Sequence, residues 1–263
     1  MIYITGDTHG NIDIHKLTSD GFPEGNELTR NDYVIVCGDF GLIWDNSSEE
    51  RYWLRWLDKK PWTTLWIDGN HENFDLLDEY DIVDWHGAKV QFITGNIIHI
   101  MRGSVFELEG YIFFAFGGAE SHDKESRIPG RSWWEAEMPS DNDKEAGRKA
   151  LDAAGWSVDV VITHTLPGRL QNAVFGSEYP SNSLNDYFDE ISEKLDYSFW
   201  FSGHYHRSVI IDDDHILLYN AIVKLNDEGF EVVRDDEDGR FFPDGEISDE
   251  DFDYLMSLGD EEI

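Results

Sequence analysis

The chain predicts an α/β fold, a β-sheet carrying helices on its faces, and three observations lead there. Short apolar runs stop abruptly at endings built from glycine and polar, metal-competent side chains. Over the first eighty residues these runs alternate with stretches of helical period. In the middle, short strand-like runs follow one another with only Gly or Asn turns between them. At 263 residues the length suits one large α/β domain, and ten Trp, eleven Tyr and sixteen Phe supply ample apolar surface for its core.

Taken in order, residues 3–5 are a short strand that stops at Gly6-Asp7-Thr8-His9-Gly10. Residues 11–19, with Ile12, Ile14 and Leu17, read as a short helix, and 21–30 as a loop broken by Pro23, Gly25 and Asn26. Residues 33–37 form a second strand, stopping at Gly38-Asp39-Phe40-Gly41. Residues 49–57 are helical, with Trp53, Leu54, Trp56 and Leu57 on one inward face. The run 64–67 then ends at Gly69-Asn70-His71-Glu72. Strands at 90–94, 97–101, 105–108 and 111–116 read as a meander. Residues 117–139 have no period, and a long irregular segment inside a compact domain is usually functional or mobile. A helix over 143–154, a strand over 158–163 ending at His164, and a helix over 183–195 follow. Residues 198–202 end at Gly203-His204-Tyr205-His206, and strands at 208–211, 216–225 and 230–233 finish the fold.

The formal charge of −35 constrains partners. Residues 235–263 hold thirteen acidic residues against one Arg, so most of the excess is spread over the rest of the chain. Such a surface keeps a protein soluble and repels long polyanions. It disfavours nucleic-acid binding, which needs Lys and Arg on phosphates. The one cysteine, Cys37, permits no intrachain disulfide and lies inside an apolar strand as a small buried hydrophobe. The opening residues lack the basic segment of a secretory signal, and no apolar run approaches a membrane span, so a cytoplasmic protein with no membrane contact is expected.

The strand endings carry the chemistry: Asp7 with His9, Asp39, Asn70 with His71, His164, and His204 with His206. Open α/β sheets bind ligands at the carboxyl ends of their strands. In Asp-x-His and His-x-His a single spacer brings two ligand side chains to one place. Carboxylate plus imidazole suits Mn, Fe, Zn, Co or Ni, and is too rich in nitrogen for Ca or Mg. Two Asp, one Asn and four or five His exceed the needs of one ion, whereas two ions sharing a carboxylate would use them all.

These five blocks, in this order and each after an apolar run, resemble the calcineurin-like metallophosphoesterase superfamily over residues 6–206. The resemblance implies a four-layer α/β/β/α sandwich, two mixed sheets flanked by helices, spanning residues 1–234, with 235–263 as an acidic tail. It implies two divalent metal ions. Asp7, His9 and His206 would bind the first, Asn70, His164 and His204 the second, and Asp39 would bridge. His71 would be no ligand but would stand over the leaving-group oxygen as proton donor or electrostatic stabiliser. Activated hydroxide would then attack a phosphoester, the ions holding its oxygens.

Protein phosphatases of the superfamily carry an Asp-Arg pair after Gly-Asp and an Arg before Gly-Asn-His-Glu. Here Phe40, Gly41 and Leu42 follow Asp39, and Asp68 takes the other place, which argues against a phosphoprotein substrate. Arg127 and Arg131 in the irregular segment are the candidate phosphate contacts, with His122, Trp133 and Trp134 as candidate base or ring contacts. Glu72 would orient an imidazole or a metal-bound water, or act as a helix N-terminal acid, and Asn11 would cap a helix or touch substrate. The expected activity is hydrolysis of a small phosphomonoester or phosphodiester. A nuclease would need a basic groove that twenty basic residues among fifty-five acidic ones can hardly build. A non-catalytic protein-binding scaffold would show gaps among the five blocks.

Overall fold

The computed structural model describes residues 1–235. Its strands are β1 (Ile2–Thr5), β2 (Tyr33–Val36), β3 (Thr63–Trp66), β4 (Ile82–Trp85), β5 (Ala88–Phe92), β6 (Ile97–Ile100), β7 (Ser104–Leu108), β8 (Tyr111–Phe116), β9 (Val160–Thr163), β10 (Phe199–Ser202), β11 (Val209–Ile210), β12 (His215–Leu217), β13 (Ile222–Asn226) and β14 (Gly229–Arg234). The helices are α1 (Ser48–Asp58), α2 (Phe74–Leu77), α3 (Asp141–Ala153), α4 (Gly168–Phe175) and α5 (Ser183–Lys194).

Two mixed sheets result. One has eight strands in the order β14-β13-β1-β2-β3-β6-β5-β4, the other six in the order β11-β12-β10-β9-β8-β7. In the first, β1, β2, β3 and β6 run parallel; in the second, β8, β9, β10 and β12 do. Their side chains explain the layering. Ile4, Ile35, Leu65, Phe113, Val160 and Phe201 fill one core between the sheets. Their neighbours Tyr3, Val34 and Trp66 pack outward against α1 residues such as Leu57, while Phe114, Val161 and Trp200 pack outward against α3 and α5 through Leu151 and Phe188. Strands buried on both faces read as unbroken apolar runs, which is why the central ones were legible. The four-layer α/β/β/α sandwich is the architecture expected.

Several local expectations needed correction. The meander is divided: β4, β5 and β6 pair antiparallel in the first sheet, whereas β7 and β8 form a hairpin in the second. The run read as one strand over 216–225 is likewise two, β12 in the six-stranded sheet and β13 in the eight-stranded one. Residues 11–19 hold only a 3₁₀ turn over Ile14–Leu17, with Ile12 68% exposed. The short α2, the edge strand β4 and α4 were not foreseen. β4 exposes Ile82 and Val83, so it leaves no buried periodicity to read. The acidic tail, Asp235 apart, lies outside the described residues. Among those described, no helix is long and apolar enough to cross a membrane.

Candidate metal centre

The five endings converge because β1, β2 and β3 of one sheet and β9 and β10 of the other deliver their carboxyl ends to the same edge of the sandwich. Asp7 and His9 follow β1, Asp39 follows β2, Asn70 and His71 follow β3, His164 follows β9, and His204 and His206 follow β10. Four of these residues, His9, Asp39, His204 and His206, have left-handed backbones with φ of 40°, 48°, 77° and 50°. Non-glycine residues rarely sit there, and such strain gathers where surrounding structure holds side chains for function.

The block glycines are needed for close approach more than for turning. A Cβ on Gly69 would meet the Asp39 carboxylate and His164 Nε2, one on Gly38 the His164 ring, and one on Gly203 the Asp7 carboxylate. Of these three only Gly38 has a positive φ, +93°. Each glycine thus makes room for another block's metal-competent side chain.

Two groups of ligand atoms form, each within 4.8 Å: Asp7, His9, Asp39 and His206, and Asp39, His164 and His204. Asp39 belongs to both. Its Oδ2 lies 3.2 Å from His9 Nε2 and its Oδ1 3.2 Å from His164 Nε2. Backbone N–H groups of Asn70 and His71 donate to Oδ1 at 2.8 Å each, which fixes the carboxylate between the groups. Asp7 is held similarly by the His204 N–H, at 3.0 and 3.1 Å to its two oxygens. His164 Nδ1 is 2.7 Å from the Cys37 carbonyl, which directs Nε2 inward. His9 Nδ1 is 2.7 Å from Asp13, itself bonded by the Tyr219 hydroxyl at 3.0 Å.

These residues fit divalent ions. Asn70 Oδ1 and His164 Nε2 are buried without a hydrogen-bond partner, an arrangement that costs stability unless something else satisfies them. Burial alone would lower the His9 and His164 pKa values. Asp13 and Asp39 overcome it at His9, raising it to about 10, and Asp39 and Asp7 raise His164 to about 9. The centre therefore attracts positive charge, which cations supply more strongly while leaving the imidazoles neutral as ligands.

The remaining predicted residues divide. His71 is half-buried beside the centre, its ring 5.1 Å from that of His9 and roughly parallel to Trp44 at 6.2 Å. Arg127 reaches it, with Nη2 3.3 Å from His71 Nε2 and Nε 2.6 Å from Asp123. The His122 ring stacks on that of His204 at 5.3 Å. It helps line a polar cavity of about 190 Å³ with Ser121, Gln171 and Asn182. Arg131 is exposed on the same loop, and among the described residues no side-chain bond ties it to the centre. Trp134 is buried against Trp44 and donates to Asp75 at 2.9 Å, so it belongs to the core. Glu72 is neither imidazole partner nor helix acid: fully buried, it accepts the Phe40 and Gly41 N–H groups at 2.8 and 3.1 Å and clamps the turn that presents Asp39. Asn11 caps nothing and donates to Glu49 at 2.8 Å.

Sequence reasoning missed several supports. Lys16, 2% exposed, donates from beneath block one to the carbonyls of Gly6 and Asp7 at 2.9 and 2.6 Å. Asp68 binds Arg102 Nε at 2.7 Å and lies 3.2 Å from His99 Nε2. Ser121 and Glu137 stand behind Asn70. Only Asp13, one helical turn beyond His9, had a spacing that could have flagged it.

Parallel strand ends that gather two groups of metal-competent side chains around a shared carboxylate fit a metal-dependent hydrolase. The chain belongs to the calcineurin-like phosphoesterase family, whose model matches residues 1–208. The family uses two divalent metal ions and acts on phosphoesters. Among solved structures, the protein TT1561 of Thermus thermophilus is similar at a TM-score of 0.52 and 11% identity, over 89% of this chain and 97% of that one. At that identity the likeness bears on the fold alone. The sulfate thiohydrolase SoxB of Thermus thermophilus, in complex with glycerol, is similar at a TM-score of 0.43 and 13% identity, over 98% of this chain and 59% of that one. No curated protein matches the sequence.

Proposed function

We propose that the protein is a two-ion phosphoesterase for a small phosphomonoester or phosphodiester, with residues 1–234 as the catalytic unit. One observation carries this reading: Asp39 belongs to both groups of convergent ligand atoms. Asp7, His9 and His206 would hold one ion and Asn70, His164 and His204 the other, with Asp39 between; Mn, Fe, Zn, Co and Ni all suit the donors. When bound, the ions would polarise phosphoryl oxygens and lower the pKa of the attacking water.

The chain's own residues do the rest. His71, backed by Trp44, is positioned to serve the leaving-group oxygen. Arg127 stands beside it with N–H donors for a phosphate oxygen, the role for which protein phosphatases use arginines absent here. His122 would contact the organic part of the substrate from the cavity beside His204. Arg131 is the weaker candidate, exposed on the same loop. The acid surface supports a small substrate over a nucleic acid, and the single buried cysteine supports a cytoplasmic setting.

Metal analysis with assays of phosphomonoesters, phosphodiesters and cyclic nucleotides, with Mn, Zn or Ni added, tests this. The expected result is two ions per chain and metal-dependent turnover, and Asp39→Asn should weaken both ions together. A protein inert with every metal and ester, yet able to bind a partner, would sink the reading in favour of a scaffold.

A further inference from the structure

The irregular loop after β8 reaches behind the centre as well as over it. Asn70 is 6% exposed, and its Nδ2 donates to Ser121 Oγ at 3.4 Å, while its Oδ1 is the acceptor without a partner. Ser121, 2% exposed, donates twice to Glu137: its backbone N–H to Oε1 and its hydroxyl to Oε2, each at 2.7 Å. Glu137 is 1% exposed.

A hydroxyl has one proton. Because the Glu137 carboxylate takes it, Ser121 Oγ meets Asn70 only as an acceptor. The amide must answer with its NH₂ end, which leaves Oδ1 turned away from Ser121 and available. Both ends of this chain are tied to one guanidinium. Arg102 grips Asp68, two residues before Asn70, and donates to the carbonyls of Ala136 and Glu137 at 2.9 and 3.1 Å.

We infer that Ser121 and Glu137 are positioning residues that set the polarity of the Asn70 amide, so that its oxygen and not its nitrogen is offered to the second ion. The inference rests on the two-ion reading. It makes the loop over 117–139 part of the centre's construction.

Glu137→Gln tests it. The variant keeps the size and still accepts the Ser121 N–H, but its NH₂ donates to Ser121 Oγ. That frees the hydroxyl proton for Asn70 and favours the reversed amide. Ser121→Ala removes the middle of the relay and serves as the second variant. Full-length wild type and both variants would be titrated with Co²⁺ by calorimetry and by visible absorption, alongside metal-free melting. The expected result is first-ion affinity within about twofold of wild type and second-ion affinity about 10–100-fold weaker in Glu137→Gln, the usual effect of losing a ligand's orienting partner. Both ions held as in wild type would overturn the relay and leave the two-ion reading standing. Equal weakening of both ions with a lowered melting temperature would mark a merely structural role and overturn it too. A wild type that takes up fewer than two ions would overturn the reading and the relay together.

Discussion

Arg102→Met is a test of how the centre is braced. Asp68 and Arg102 are 2% and 12% exposed, with Arg102 Nη2 2.5 Å from Asp68 Oδ2 and the guanidinium 5.3 Å from the centre of the Phe74 ring. Burial pushes the Asp68 carboxyl upward, but Arg102 and then His99 pull it down to about 2 from an ordinary 3.8. At about 1.4 kcal/mol per tenfold change, that depression corresponds to about 2.5 kcal/mol of folding stability. Met keeps the packing on Phe74 and leaves a buried carboxylate facing His99 alone, so the loss should be larger, about 3–5 kcal/mol. For a chain of this size that lowers the melting temperature by about 6–20 °C. Because the folded-state value lies below the ordinary one, the pair's contribution is complete above about pH 4 and is lost as pH falls through about 2. The gap between wild type and variant in thermal or urea unfolding should therefore close toward pH 2. Adding Asp68→Asn should recover much of the loss, since no charge is then buried alone. A melting shift under about 3 °C, or one of constant size between pH 7 and 2, would refute this account of the pair.

Gly69→Ala places a methyl group against the Asp39 carboxylate and His164 Nε2, and should cost about 1–3 kcal/mol in urea unfolding and displace both ions; undisturbed binding of two ions would show that the contact is not needed. His71→Ala keeps the backbone N–H that holds Asp39, so it should retain metal while turnover falls at least about 100-fold. Unchanged turnover in that variant would remove His71 from the chemistry.

The legible part of the centre is the part adjacent in sequence to a buried strand. Asp7, Asp39 and His204 announce themselves because an apolar run, a glycine and a polar residue stand side by side, and His164 because it closes an apolar run without one. The ligands' supports gave no such sign. Lys16, Glu137 and Arg102 look like ordinary charged residues until the fold buries them. Asp68 showed only as a departure from an arginine; its partner, thirty-four residues on, explains what the carboxylate does instead.

Sequence by itself therefore determined the α/β class, the five strand endings and the metal-competent residue types they carry. Hydrophobic period and local spacing are encoded residue by residue. Tertiary structure alone decided which sheet each strand joins, which is why the runs over 97–108 and 216–225 divide between sheets. A strand buried on both faces has the same apolar pattern in either sheet, so composition cannot choose between them. It also decided that Ser121 and Glu137 stand behind Asn70, with Ser121 51 residues along the chain from it. Such contacts come from the packing of two sheets against each other, and no spacing along the chain records them.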